Sequence, residues 1–294
     1  MRIGYACLNN RIGCTSNRTF RLKNYSEKNL IETINLNLDC LEKILDFNLK
    51  NKLLFFRIGS GLIPFASHQV NRFDWVSFFR KRFREIGFFI KKNKMRLSMH
   101  SGQYTVINSE NQEIVKRSLE EISYHCQVLE LMELDEKHKV QIHIGGKYGD
   151  KRLAIQRFIK NYSRTSQQIK KRLVVENDDR SFSINDCLLI NKKTKIPIIF
   201  DNLHHRCLGD GQSETVILPH VFKTWLKKDG PSMIDFSQAK KIKKNCYHRQ
   251  NILLDDFLSF IRMIKGKQVD IILEIKDKEK SAIRAKKLLS KEGF

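Results

Sequence analysis

Six side chains able to hold a divalent ion, His100, His143, Glu176, Asp201, His204 and Glu274, stand at or just beyond the ends of short apolar, β-branched runs. Those runs are residues 96–99, 140–142, 173–175, 196–200 and 269–273. Imidazoles and carboxylates delivered by separate strand ends to one rim make the donor set of a polynuclear metal centre. Such a centre can hold both the attacking and the leaving oxygen of an in-line phosphoryl displacement, with a carboxylate as base for the attacking water. The donors are oxygen and nitrogen with no thiolate, which suits Mn²⁺, Mg²⁺, Fe or Zn²⁺.

Each residue also has a plainer reading. A lone strand-end histidine such as His100 is more often a buried ring bonded to a carbonyl, because neutral histidine satisfies itself readily in a core. His143, in Val140-Gln141-Ile142-His143-Ile144-Gly145-Gly146, repeats the placement one strand later and shifts the balance toward a ligand. Glu176 follows three apolar residues, so it must be paired, protonated or metal-bound in a desolvated rim. A structural ion pair with one of the many lysines is the alternative. Asp201 and His204 lie three apart across a strand-to-loop turn, close enough to chelate one ion or bridge two. No Ser-His-Asp or Cys-His arrangement stands out, and glycosidase chemistry would leave the histidines unexplained.

A second group reads as substrate contacts. Gln103-Tyr104 follows His100 on a loop, and an amide beside an aromatic can wedge into a duplex and stack where a base is displaced. A half-buried loop tyrosine is the ordinary alternative. Tyr5 and Asn9 leave the first strand toward the same mouth. Arg57, Lys147, Lys151 and Arg180 offer phosphate contacts where they face the cleft and are solvated charges where they do not.

The elements that must position these groups alternate eight times. Strands are expected over residues 2–6, 53–58, 96–100, 140–144, 173–176, 196–201, 233–236 and 270–275. Helical periodicity fills the intervals at 27–47, 73–92, 113–134, 151–161, 183–189, 213–225, 252–264 and 278–289, with Ser26 and Ser183 as N-caps. The expected fold class is α/β, a (β/α)8 TIM barrel forming a single domain over residues 1–294. In such a barrel the active groups sit on the C-terminal face. The rival doubly wound sheet would more often show a glycine-rich phosphate loop after the first strand, where this chain has Cys7-Leu8-Asn9-Asn10.

Composition bounds the partners. The net charge of +23 favours a polyanion, nucleic acid before membrane, although a lysine-rich background contributes to it. No stretch approaches the ~20 apolar residues of a membrane span, and the N-terminus lacks a secretory layout. The seven cysteines, odd in number and without a C-x-x-C pair, read as free thiols of a reducing compartment. A monomer in the cytoplasm, associated with the nucleoid if the source is bacterial, is expected.

At these residues the chain resembles the UV damage endonuclease family. The motifs are Leu97-Ser98-Met99-His100 with Gln103-Tyr104, His143-Ile144-Gly145-Gly146-Lys147-Tyr148-Gly149-Asp150-Lys151, Glu176-Asn177-Asp178-Asp179, Phe200-Asp201-Asn202-Leu203-His204-His205 and Leu273-Glu274-Ile275-Lys276-Asp277-Lys278-Glu279. Arg57-Ile58-Gly59-Ser60 with Pro64 and His68 also matches, so the likeness runs through nearly the whole chain. The resemblance implies a TIM barrel related to endonuclease IV and to xylose-isomerase-like enzymes. It implies single-strand incision immediately 5′ to cyclobutane pyrimidine dimers and 6-4 photoproducts in double-stranded DNA, with other distorting lesions and abasic sites as further substrates. It implies two to three divalent ions, Mn²⁺ favoured, held by His100, His143, Glu176, Asp201, His204 and Glu274, with His68 and His248 joining them. Glu176, Glu274, His100 and His143 would carry the catalytic chemistry. By the same resemblance Gln103 and Tyr104 probe the duplex, and Tyr5 and Asn9 line the damaged-nucleotide pocket.

The seventh strand departs from the family pattern. The family often has Lys-x-His there, with a lysine that can be carboxylated, whereas this chain reads Met233-Ile234-Asp235. Asp235 can stand in as an oxygen ligand, but Met233 cannot replace a modified lysine. Two other readings therefore stay open: a xylose-isomerase-like sugar isomerase or epimerase on the same barrel, and a damage-binding protein with an impaired metal site.

Overall fold

In a computed structural model, which describes residues 1–209, 211–239 and 246–294, eight parallel strands close into a barrel in sequence order. They are β1 Arg2–Ala6, β2 Phe55–Ile58, β3 Arg96–His100, β4 Lys139–His143, β5 Leu173–Glu176, β6 Ile198–Asp201, β7 Ser232–Phe236 and β8 Val269–Leu273. The helices are α1 Glu27–Lys50, α2 Trp75–Lys92, α3 Gln112–Leu131, α4 Lys151–Ser163, α5 Gln167–Arg172, α6 Ile184–Thr194, α7 Asn202–Leu208, α8 Glu214–Phe222, α9 Leu254–Met263 and α10 Glu279–Lys291. Two of them, α5 and α7, have no counterpart in the sequence reading. At six and seven residues they are too short to leave a periodic trace.

The helices form where one face can be buried. In α1 the buried side chains Leu30, Ile34, Leu38, Leu41, Ile44 and Leu45 recur at three- and four-residue spacing, and Ser26 Oγ accepts the Asn29 N–H to cap the first turn. Ser183 and Asp186 form the capping box of α6. The strands, covered on both sides, are buried along nearly their whole length, polar residues included.

The floor of the barrel is closed by buried ion pairs. Asp270 Oδ2 accepts from Arg2 and Arg96, each at 3.0 Å, and Lys139 donates to Asp229 at 2.6 Å. A charge left uncompensated there would be strongly destabilising.

Four of the cysteines correct the reading of free thiols. Cys14 bonds Cys40 and Cys207 bonds Cys246, with Cα separations of 5.9 and 6.2 Å. Their partners are 26 and 39 residues away, so only the fold brings them within reach. Cys7, Cys126 and Cys187 are free. Among the described residues, no helix is long and apolar enough to cross a membrane.

Candidate metal centre

Strand register places the donors side by side. His143 pairs with Glu176 across β4 and β5, Asp201 with Asp235 across β6 and β7, and His100 with Gln141 across β3 and β4. Glu274 lies one residue beyond β8, its N–H bonded to the Phe236 carbonyl at 2.9 Å. Gly145 turns the chain away from His143 with φ +117°, and a Cβ there would lie 2.2 Å from Asn108 Oδ1. Only glycine fits that bend.

Two groups of three donors result, and both contain Glu176. One is His100, His143 and Glu176; the other is Glu176, Asp201 and His204. Glu176 Oε2 lies 3.2 Å from His100 Nε2 and 3.6 Å from His143 Nε2, while Oε1 lies 3.1 Å from His204 Nδ1. One carboxylate thus faces both groups, as a bridging ligand would.

Main-chain carbonyls orient the rings. His100 Nδ1 lies 2.7 Å from the Ser101 oxygen, His204 Nδ1 3.0 Å from the Asn177 oxygen and His248 Nδ1 2.5 Å from the Glu274 oxygen. A carbonyl accepts only, so in the neutral His100 and His248 rings Nδ1 carries the proton and Nε2 keeps its lone pair, whereas the His204 Nδ1 also faces Glu176 and Asp201. Asn177, buried at the end of β5, holds Asp201 through both backbone atoms, each bond 3.0 Å long.

The electrostatics follow from burying many charges together. Burial alone would raise the Glu176 carboxyl, but His143, His100 and His204 hold it well below the usual carboxylate range. Asp201 is pushed well up by burial and by Glu176, Glu274 and Asp235, with His204 opposing. Asp235 rises to about 7 through burial, against the pull of Arg57. Burial would lower His204, yet Asp201 and Glu176 raise it to about 11; burial lowers His143. A cluster that competes this hard for protons has excess negative charge to neutralise.

A divalent cation fits these donors. Asp201 Oδ2 is buried without a hydrogen-bond partner and Glu176 Oε1 has only the His204 ring nitrogen beside it, a costly state that coordination or bound water would relieve.

The remaining expected residues divide. His248 is placed on the rim, with Nδ1 3.8 Å from Glu274 Oε2. His68 is exposed and accepts the Val70 N–H at 3.0 Å, outside both groups. Asp235 is fully buried, bonded to Arg57 and, at 2.6 Å, to Gln141 Nε2. Arg57, expected to meet a phosphate, is instead only 1% exposed and ion-paired with Asp235 and Glu274, because the second strand end points it into the barrel. Tyr5 and Asn9 are buried and joined by a 2.8 Å bond, with Tyr5 Oη donating to Asn48 at 2.7 Å. Burial pushes the Tyr5 hydroxyl up, which keeps it protonated.

Gln103 and Tyr104 project from the β3 loop, Tyr104 with 84% of its surface exposed. They border a cleft of about 650 Å³ lined also by Ser60, Thr105, Arg117 and Glu121. Lys147 is exposed, whereas Lys151 is paired with Asp186 at 2.6 Å. Sequence reasoning missed Gln141 and Asn177 as supports of the cluster. Gln141 stands two residues before His143 and so shares its face of the strand, a usable signal; Asn177 lies within the motif that follows Glu176 but had no role assigned to it.

Fold and site together define a TIM barrel with a histidine–carboxylate cluster on its carboxyl rim. The profile of the family UV-endonuclease UvdE matches residues 1–292, and the chain belongs to that family. It is 44% identical over 286 residues to the UV DNA damage endonuclease of Clostridium perfringens (strain 13 / Type A), covering 97% of this chain and 69% of that protein. The crystal structure of SacUVDE superposes with a TM-score of 0.94 at 42% identity, covering 100% and 99% of the two chains. Endonuclease IV from Thermus thermophilus, at 10% identity and a TM-score of 0.62 over 99% and 98%, shares the fold.

Proposed function

We propose that this protein is a single-domain, metal-dependent DNA repair endonuclease that nicks the damaged strand immediately 5′ to UV photoproducts. The substrates are double-stranded DNA carrying cyclobutane pyrimidine dimers or 6-4 photoproducts, with other distorting lesions and abasic sites as further candidates. The observation that carries the reading is the position of Glu176, shared by two donor groups on a rim within a chain of the UV-endonuclease family. His100, His143, Glu176, Asp201 and His204 would hold divalent ions, Mn²⁺ first, with His248 and Glu274 at the edge and His68 as an outer candidate. Bound there, such ions supply Lewis-acid polarisation of the phosphodiester and charge for the displaced oxygen.

The chain's own residues do the rest. The His100 ring, held by the Ser101 carbonyl, keeps its Nε2 aimed at Glu176, and the Asn177 carbonyl holds the His204 ring beside Glu176 and Asp201. Glu176 is held ionised by its histidine neighbours, so its carboxylate faces both donor groups with its charge intact. Tyr104 and Gln103 reach outward to test base stacking. The net charge of +23 attracts the polyanionic backbone to the protein.

The test is nicking of supercoiled plasmid with Mn²⁺, before and after ultraviolet irradiation. Open circles should accumulate only on irradiated DNA. Folded, metal-loaded protein that nicks both equally, or neither, would refute the reading.

A further inference from the structure

A buried guanidinium is paired with two of the residues expected as ligands, Asp235 and Glu274. Arg57 Nη1 donates to Glu274 Oε1; Nη2 donates to Asp235 Oδ1 and, at 2.9 Å, to Gln141 Oε1. Asp235 Oδ2 accepts from Gln141 Nε2 at 2.6 Å, so both oxygens of Asp235 are engaged inside the barrel. Gln141 Nε2 also donates to Glu176 Oε2, which links the arginine to the shared carboxylate. Among the described residues, Asp235, Glu274 and His248 enter neither group of three convergent donors.

Resting on the metal-dependent reading above, we infer that Arg57 is a built-in cation that replaces a third metal ion, so that this centre holds two ions bridged by Glu176. The charge balance supports it. Glu176, Asp201, Asp235 and Glu274 carry four formal negative charges and Arg57 returns one. Two divalent ions turn the remainder into a single positive charge, matched to the single negative charge of a phosphodiester. A third ion at Asp235 and Glu274 would share both carboxylates with a guanidinium that cannot give up its proton. It would also have to displace a side chain that is almost wholly enclosed. The arginine does what a metal would do for those carboxylates but offers no open coordination position. Arg57 is therefore a positioning residue: it fixes Asp235 and, through Gln141, the orientation of Glu176.

The experiment counts ions. Metal-stripped protein is titrated with Mn²⁺, freed of excess, and bound manganese is measured by atomic emission for wild type, Asp235→Asn and Arg57→Ala. Wild type and Asp235→Asn should each hold two ions per chain. Arg57→Ala, which frees the Asp235 and Glu274 carboxylates, should gain a third. Three ions in the wild type, or loss of one ion in Asp235→Asn, would overturn the inference and leave the endonuclease reading standing. No bound manganese in folded wild type would overturn both. If Arg57→Ala does not fold, the other two counts still decide.

Discussion

Glu176 Oε1 lies 3.1 Å from His204 Nδ1, and that nitrogen is also 3.0 Å from the main-chain oxygen of Asn177, the residue next to Glu176. The carboxylate and the imidazole are thus aligned by one short segment at the end of β5. A change at Glu176 is felt by both donor groups at once.

Glu176→Gln keeps the shape and removes the charge. The amide cannot bridge two cations, so manganese content should fall and incision of irradiated plasmid should drop at least about a hundredfold. Affinity for damaged DNA, set by loops and surface charge, should change little in a gel-shift assay. A variant that cuts at the wild-type rate would show that this carboxylate is not in the chemistry.

Tyr104 gives the complementary case. Among the described residues it is the most exposed large apolar side chain, and it enters none of the ring pairs. Base–aromatic stacking contributes about 1–3 kcal/mol per base. Tyr104→Ala should therefore weaken binding to a lesion-bearing duplex by about 5- to 150-fold. Bound manganese and the thermal midpoint should stay at the wild-type values, because the ring faces solvent and supports no core packing. Unchanged lesion affinity would remove the residue from recognition.

Much of this was legible in the sequence because strand ends punctuate clearly. β1, β3 and β5 have the expected bounds, and the donors at the ends of β3, β4, β5 and β6 converge as strand ends on one rim of a parallel barrel should. What periodicity could not give was direction within the barrel. Arg57 and Tyr5 stand on strands whose alternation leaves the inner and outer faces nearly equally apolar, so a surface role and a buried one looked alike. Disulfides were illegible for a related reason: the Cys14–Cys40 and Cys207–Cys246 approaches are properties of folded loops, not of spacing. The seventh-strand change from Lys-x-His was visible, but the pairing of Asp235 with Arg57 from β2 was not.

The barrel floor offers a stability test far from the chemistry. Asp270 receives the Arg2 backbone N–H at 2.8 Å and two guanidinium donors. Arg96 is buried and depends on it for charge compensation. Asp270→Asn leaves that cation underpaired, which costs about 3–5 kcal/mol for a buried pair. Urea denaturation should show the midpoint falling with an unchanged slope. A loss below about 1 kcal/mol would mean that the carbonyls of Lys137, Asp229 and Pro231 already satisfy Arg96.

His138 sets an acid limit on the same floor. Its Nδ1 accepts the Leu97 N–H at 2.9 Å, so the native ring must be neutral at that atom. Burial, reinforced by Arg96 and Arg172 and opposed by Asp135, lowers its pKa from 6.5 to about 3. The unfolded chain then binds a proton more readily than the folded one between those values, and native stability falls as the pH falls. The contribution is fully present above about pH 6.5 and is lost progressively toward pH 3, amounting to a few kcal/mol on the order of the shift. His138→Asn keeps an acceptor for Leu97 without a titrating ring. Its unfolding free energy, followed by urea titration from pH 7 to pH 4, should therefore decline less steeply than that of the wild type. Parallel declines would show that the acid sensitivity arises elsewhere, in the carboxylates of the rim.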